Sequence, residues 1–141
     1  MDIEPIIGKY YEAVDIFSRG NPEPVKNLYS HSEDVILSNP FGSTVRGWNK
    51  VSEALDFASS RFKDGEVKTF ERIATYKTNE LVVIFEIEKW KSRVGDKKEI
   101  SSFDLRVTTT FRFEENNWKL VHRHADPISS FNVEGPIRKD L

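Results

Sequence analysis

The spacing of apolar residues along this chain changes once, near Glu66, and does not change back. Before that point they recur at intervals of three and four, the period of a helix face; after it they fall in long alternating runs, the period of a strand. A doubly wound parallel sheet needs strands and helices interleaved, so helices followed by strands exclude it. The expected class is α+β, with helices and sheet in separate layers.

Ile3, Ile6, Ile7, Tyr10, Tyr11, Val14 and Phe17 lie on one stripe of a first helix that Gly20 stops. Val25, Leu28 and Tyr29 make the inner face of a short second helix after the Pro22 and Pro24 turn. Val35–Leu37 reads as a strand cut by Asn39-Pro40-Phe41-Gly42, because proline cannot donate to a ladder. Thr44–Arg46 resumes it, and Trp48, Val51, Leu55, Ala58 and Phe62 carry a third helix. Four strands follow, at Val67–Tyr76, Leu81–Ser92, Ser101–Phe113 and Trp118–Asp126, and should form an antiparallel meander. The prediction is three N-terminal helices on one face of a strongly bent, mostly antiparallel sheet. That is a cone with a cavity between the concave face and the helices. The domain is expected to span 1–127, with 128–141 as a tail.

Composition narrows the partners. A net charge of −2 offers no basic field to a nucleic acid backbone. With no cysteine there is no disulfide and no thiolate nucleophile, which suits a cytoplasmic location. No apolar run is long enough to span a membrane. Ten Phe, four Tyr and three Trp exceed what a minimal core needs, so either the core is unusually ring-rich or some rings wall a pocket for a small-molecule ligand.

Strand alternation assigns the faces. A four-residue loop pairs Phe113 with Trp118 and Phe111 with Leu120; unbroken alternation then pairs Thr109 with His122 and Val107 with His124. That register turns His122, His124 and Asp126 into the cavity as the catalytic candidates, since a histidine beside a carboxylate titrates near working pH. Tyr29, Asn39, Phe41, Trp48, Phe57 and Thr109 are the expected pocket residues. On the strand at 81–92, Leu81, Val83, Phe85 and Ile87 would face inward. Glu86, Glu88, Trp90, Arg106 and Arg123 would then face outward, with Glu86 across from Arg106. Trp90 and Arg106 mark the outer face as the interface of a homodimer. Ligands two apart on one strand spread over roughly 7 Å, too far for a tight metal shell, so no metal and no cofactor are expected. A register shifted by one residue would exchange the two faces.

The break at Ser38-Asn39-Pro40-Phe41-Gly42, the Glu86-Ile87-Glu88-Lys89-Trp90 stretch and the run from Leu105 through Asp126-Pro127 resemble a SnoaL-like, ketosteroid isomerase-like member of the nuclear transport factor 2-like superfamily. The resemblance implies the cone-shaped fold, a small-molecule pocket, and cofactor-independent proton transfer of isomerase, cyclase or dehydratase type on a small, partly apolar carbonyl compound. It equally allows a non-catalytic ligand-binding or dimerisation module. Ketosteroid isomerases use an Asp base and an oxyanion hole of Tyr and protonated Asp. The matching positions here are Asn39, which cannot take a proton, Thr109, and a site near Ala13. Steroid isomerisation by that mechanism is therefore not expected.

Overall fold

A computed structural model describes residues 2–40, 42 and 44–128. Three helices, α1 (Glu4–Phe17), α2 (Glu23–Leu28) and α3 (Trp48–Ser60), cover one face of a six-stranded sheet. Its strands are β1 (Ile36–Ser38), β2 (Val45–Arg46), β3 (Phe62–Lys77), β4 (Leu81–Val94), β5 (Ser101–Glu114) and β6 (Asn117–Pro127). They lie in the order β2-β1-β6-β5-β4-β3, and only the β1–β6 pair is parallel. The α+β architecture and the antiparallel meander are as the spacing predicts. Of the expected tail, only Ile128 lies within the described residues.

The third strand differs from expectation. α3 ends at Ser60, and β3 starts at Phe62, five residues before the alternation becomes visible in the sequence. Irregular pairing at Lys63/Glu66, Val67/Thr69 and Arg72/Ala74 breaks the alternation of β3 and bends the strand around the helices. Gly65 sits in the first of these irregularities, where a Cβ would collide with the backbone carbonyl of Ser18 at the end of α1. Close approach of helix and strand therefore requires glycine at this position.

The core lies between the helices and the concave face. α1 contributes Ile3, Ile7, Tyr10, Ala13, Val14 and Phe17, and the sheet answers with Val82, Ile84, Val107, Phe111 and Leu120, all buried. Two glutamates, Glu86 and Glu88, are buried in the same face.

Candidate functional site

The inner face of the sheet is decided by one extra residue. β5 and β6 pair as expected at Phe113 with Trp118 and Phe111 with Leu120. A bulge then leaves Val121 without a partner, and pairing resumes at Thr110 with His122, Thr109 with Arg123 and Thr108 with His124. Beyond the bulge every side chain of β6 sits on the face opposite to the one unbroken alternation assigns. Arg123 and Ala125 turn inward and are buried; His122 and His124 turn outward.

β4 is inverted as well. Val82, Ile84, Glu86, Glu88, Trp90 and Ser92 are its buried positions, and Leu81, Val83, Phe85 and Ile87 face out. Glu86 pairs with Val107, and Arg106 with Ile87, so the expected Glu86–Arg106 pair does not exist. Both sides of this strand are apolar between Leu81 and Phe85, so hydrophobicity alone cannot choose between them. The ionic partners choose: Glu88 meets Arg123 and Glu86 meets Arg72.

A cavity of about 270 Å³ opens between α1, α3 and this inner face. Among the described residues four rings wall it: Phe17, Phe62, Trp90 and Phe103. They pack in sequence, with centroids 6.2 Å apart for Phe17–Phe62, 4.9 Å for Phe62–Trp90 and 5.7 Å for Trp90–Phe103. Aliphatic side chains from α3, β1, β5 and β6 complete the wall, including Leu55, Leu37, Leu105 and Ala125. Among the described residues only Asn39 and Arg123 bring polar side chains to it.

Arg123 is fixed from behind. Its guanidinium holds Glu88 in a two-pronged pair, Nη1 to Oε2 at 2.9 Å and Nη2 to Oε1 at 3.0 Å, and Nη1 also donates to the hydroxyl of Tyr10. Trp90 Nε1 donates to Glu88 Oε1 at 3.0 Å. The Tyr10 hydroxyl lies 2.8 Å from Thr109 Oγ1 and 3.4 Å from Glu88 Oε2. Burial pushes the Tyr10 phenol well above its ordinary range, so it stays protonated. An ion pair this deep offsets its desolvation only because the carboxylate also receives further donors. The arrangement locks a permanently charged, planar donor group at the cavity wall.

A second cluster lies beside it, under α1. Tyr11 donates to Glu86 Oε2; Arg72 Nε lies 3.5 Å from the same oxygen, and Arg72 Nη2 donates to the Tyr11 hydroxyl at 3.1 Å. Glu86 Oε1 is buried with no partner among the described residues. Burial, reinforced by the nearby Glu88, raises the Glu86 pKa, and the Tyr11 phenol is pushed up to about 12, mainly by burial. Neither side chain lines the cavity.

The residues singled out from sequence are dispersed. His122 is half-buried on the outer face, where burial and the neighbouring His124 lower its pKa. His124 Nε2 pairs with Asp126 Oδ2 at 2.8 Å, both side chains about half exposed. None of the three lines the cavity, which corrects the expectation that they face it. Asn39 lies on the rim, and Phe41 falls outside the described residues. Thr109 is buried behind Arg123 rather than open to the cavity. Tyr29 is buried with its hydroxyl on the Ile36 carbonyl at 2.8 Å, Trp48 stacks on His31 at 3.9 Å, and Phe57 projects into solvent. None of these three lines the cavity. Trp90, expected outside, is a cavity ring, while Arg106 is exposed on the outer face. Among the described residues no three His, Asp or Glu side chains are grouped to hold a metal ion.

Helices capping a bent sheet around an apolar cavity define a cone-shaped α+β class. Within it, this chain belongs to the SnoaL-like domain family, whose sequence profile matches residues 3–129. Solved structures agree at the level of fold. A nuclear transport factor 2-like superfamily protein from Salmonella enterica serovar Typhimurium superposes with a TM-score of 0.74 at 18% identity, over 92% of each chain. A ketosteroid isomerase-like protein from Erwinia carotovora atroseptica also reaches 0.74, at 14% identity, over 91% of this chain and 95% of its own. No curated protein matches the sequence significantly. No helix of the described residues is long and apolar enough to cross a membrane.

Proposed function

We propose that this chain binds a small, largely apolar molecule in the cavity beside Arg123. The observation that carries the reading is a 270 Å³ space with apolar walls and one locked guanidinium. That volume lies just below the roughly 300–1,000 Å³ typical of ligand pockets, which suits a ligand about the size of one substituted ring. Proton transfer finds less support. Neither an amide nor a guanidinium can accept a proton at neutral pH, so the two polar side chains that line the wall among the described residues can orient a ligand but not act as its base. Binding without acid–base chemistry is therefore the reading favoured here, in a chain whose lack of cysteine suits the cytoplasm.

The test is direct. Toluene added to the labelled protein should shift the Trp90 indole N–H resonance, and Ala125→Trp, which fills the space, should abolish that response in a folded protein. An unchanged Trp90 signal with toluene, ethylbenzene and cyclohexane would contradict the reading.

A second reading concerns the opposite face. Val83, Phe85 and Ile87 form a partly exposed apolar row in the middle of the outer sheet face, next to Thr108 and Thr110. A homodimer through this face would cover it. Sedimentation equilibrium should then report a dimer for the wild type and a monomer for Phe85→Glu; a wild type monomeric at micromolar concentration rejects the dimer.

A further inference from the structure

Arg123 carries the only ionisable side chain lining the cavity among the described residues, and its charge is already matched. Glu88, fully buried, faces it in a two-pronged pair, so the wall is neutral as a unit. A guanidinium has five N–H groups; three are engaged, by Glu88 twice and Tyr10 once, which leaves two without a partner among the described residues. One tenth of the side-chain surface stays open. A ligand group meeting this wall must accept hydrogen bonds, must bring no net charge, and can take two donors at once.

We propose that the cavity selects a neutral molecule whose carbonyl oxygen faces Arg123, and rejects carboxylates of the same shape. The inference rests on the cavity being a binding site. A carbonyl oxygen has two lone pairs and no proton of its own, so it can accept from the two N–H groups left without a partner among the described residues and asks nothing of the apolar walls. A carboxylate would place a negative charge against apolar walls where, among the described residues, the one cation already belongs to Glu88, and burial of an unmatched charge is strongly unfavourable. Tyr10, Thr109 and Trp90 act as positioning residues: they hold Glu88 and Arg123 in the matched arrangement.

Three probes of nearly one shape separate the possibilities: acetophenone, α-methylstyrene and benzoate, each titrated at pH 7 while the Trp90 indole N–H resonance is followed. Acetophenone should bind about tenfold more tightly than either of the others, because a charge-assisted hydrogen bond is gained in one case and a charge is stranded in the other. The Glu88→Gln variant removes the matching charge and should reverse the order of acetophenone and benzoate; if that variant does not fold, the wild-type series decides alone. Benzoate binding as tightly as acetophenone to the wild type would overturn the selection of neutral ligands. Equal binding of α-methylstyrene would remove Arg123 from recognition while leaving the cavity a binding site. If none of the three moves the Trp90 signal, the binding site itself is refuted, and the inference falls with it.

Discussion

Arg123 and Glu88 show how much one buried pair can decide. Both charges lie in the core, where removing one partner strands the other, whereas replacing both with apolar groups strands neither. Arg123→Met is expected to lose about 3–5 kcal/mol of stability, and the double variant Arg123→Met/Glu88→Leu much less; urea unfolding of the two single variants and the double variant gives the comparison. Glu86 is a different case, because Oε1 has no partner and the raised pKa favours the protonated form. The groups facing it are Tyr11 from α1, Arg72 from β3 and Glu88 on its own strand. Between the ordinary carboxylate pKa and the raised one, the folded chain keeps a proton that the unfolded chain has released. Stability is therefore full below the ordinary value and falls as pH rises through that window. Glu86→Gln has no proton to lose, so its stability relative to wild type should increase from pH 4 to pH 8; a pH-independent difference would reject the assignment.

At the scale of elements, the close approaches and the bulges set the shape. Gly65→Ala drives a Cβ against the end of α1 and should cost about 1–3 kcal/mol, as overpacking does. Gly8, in the middle of α1, has nothing within 4 Å of where a Cβ would lie, so Gly8→Ala should instead stabilise by about 0.5–1 kcal/mol; thermal unfolding of both variants separates the cases. The same elements explain what could be read from the chain. Helical spacing in α1 and α3 and the loops between the long strands are local signals, and they gave the architecture. The face of β6 is not local. It depends on Val121, which looks like any strand residue until its partner Thr110 is known to pair with His122 instead. One unpaired residue turned the histidines out and Arg123 in. For β4 a signal was present: two glutamates on the parity of Trp90, with Arg72, Arg123 and two adjacent tyrosines elsewhere in the chain, form a set that can pair largely within itself inside. Apolar Val83, Phe85 and Ile87 on the opposite parity outweighed it, because an outward row can be as apolar as an inward one.

For the whole molecule, the sheet separates two surfaces with different chemistry. The concave face carries the cavity, its rings and the locked guanidinium. The outer face carries the apolar row at Val83, Phe85 and Ile87, with His122, His124 and Asp126 on the neighbouring strand. The central claim is that a ligand sees the first surface and not the second. The most direct measurement is a single titration of labelled protein with acetophenone, following the Trp90 indole together with the imidazole resonances of His122 and His124. The account predicts that Trp90 shifts to saturation while both histidines stay at their starting positions. Histidine shifts at saturation with Trp90 unmoved would contradict it.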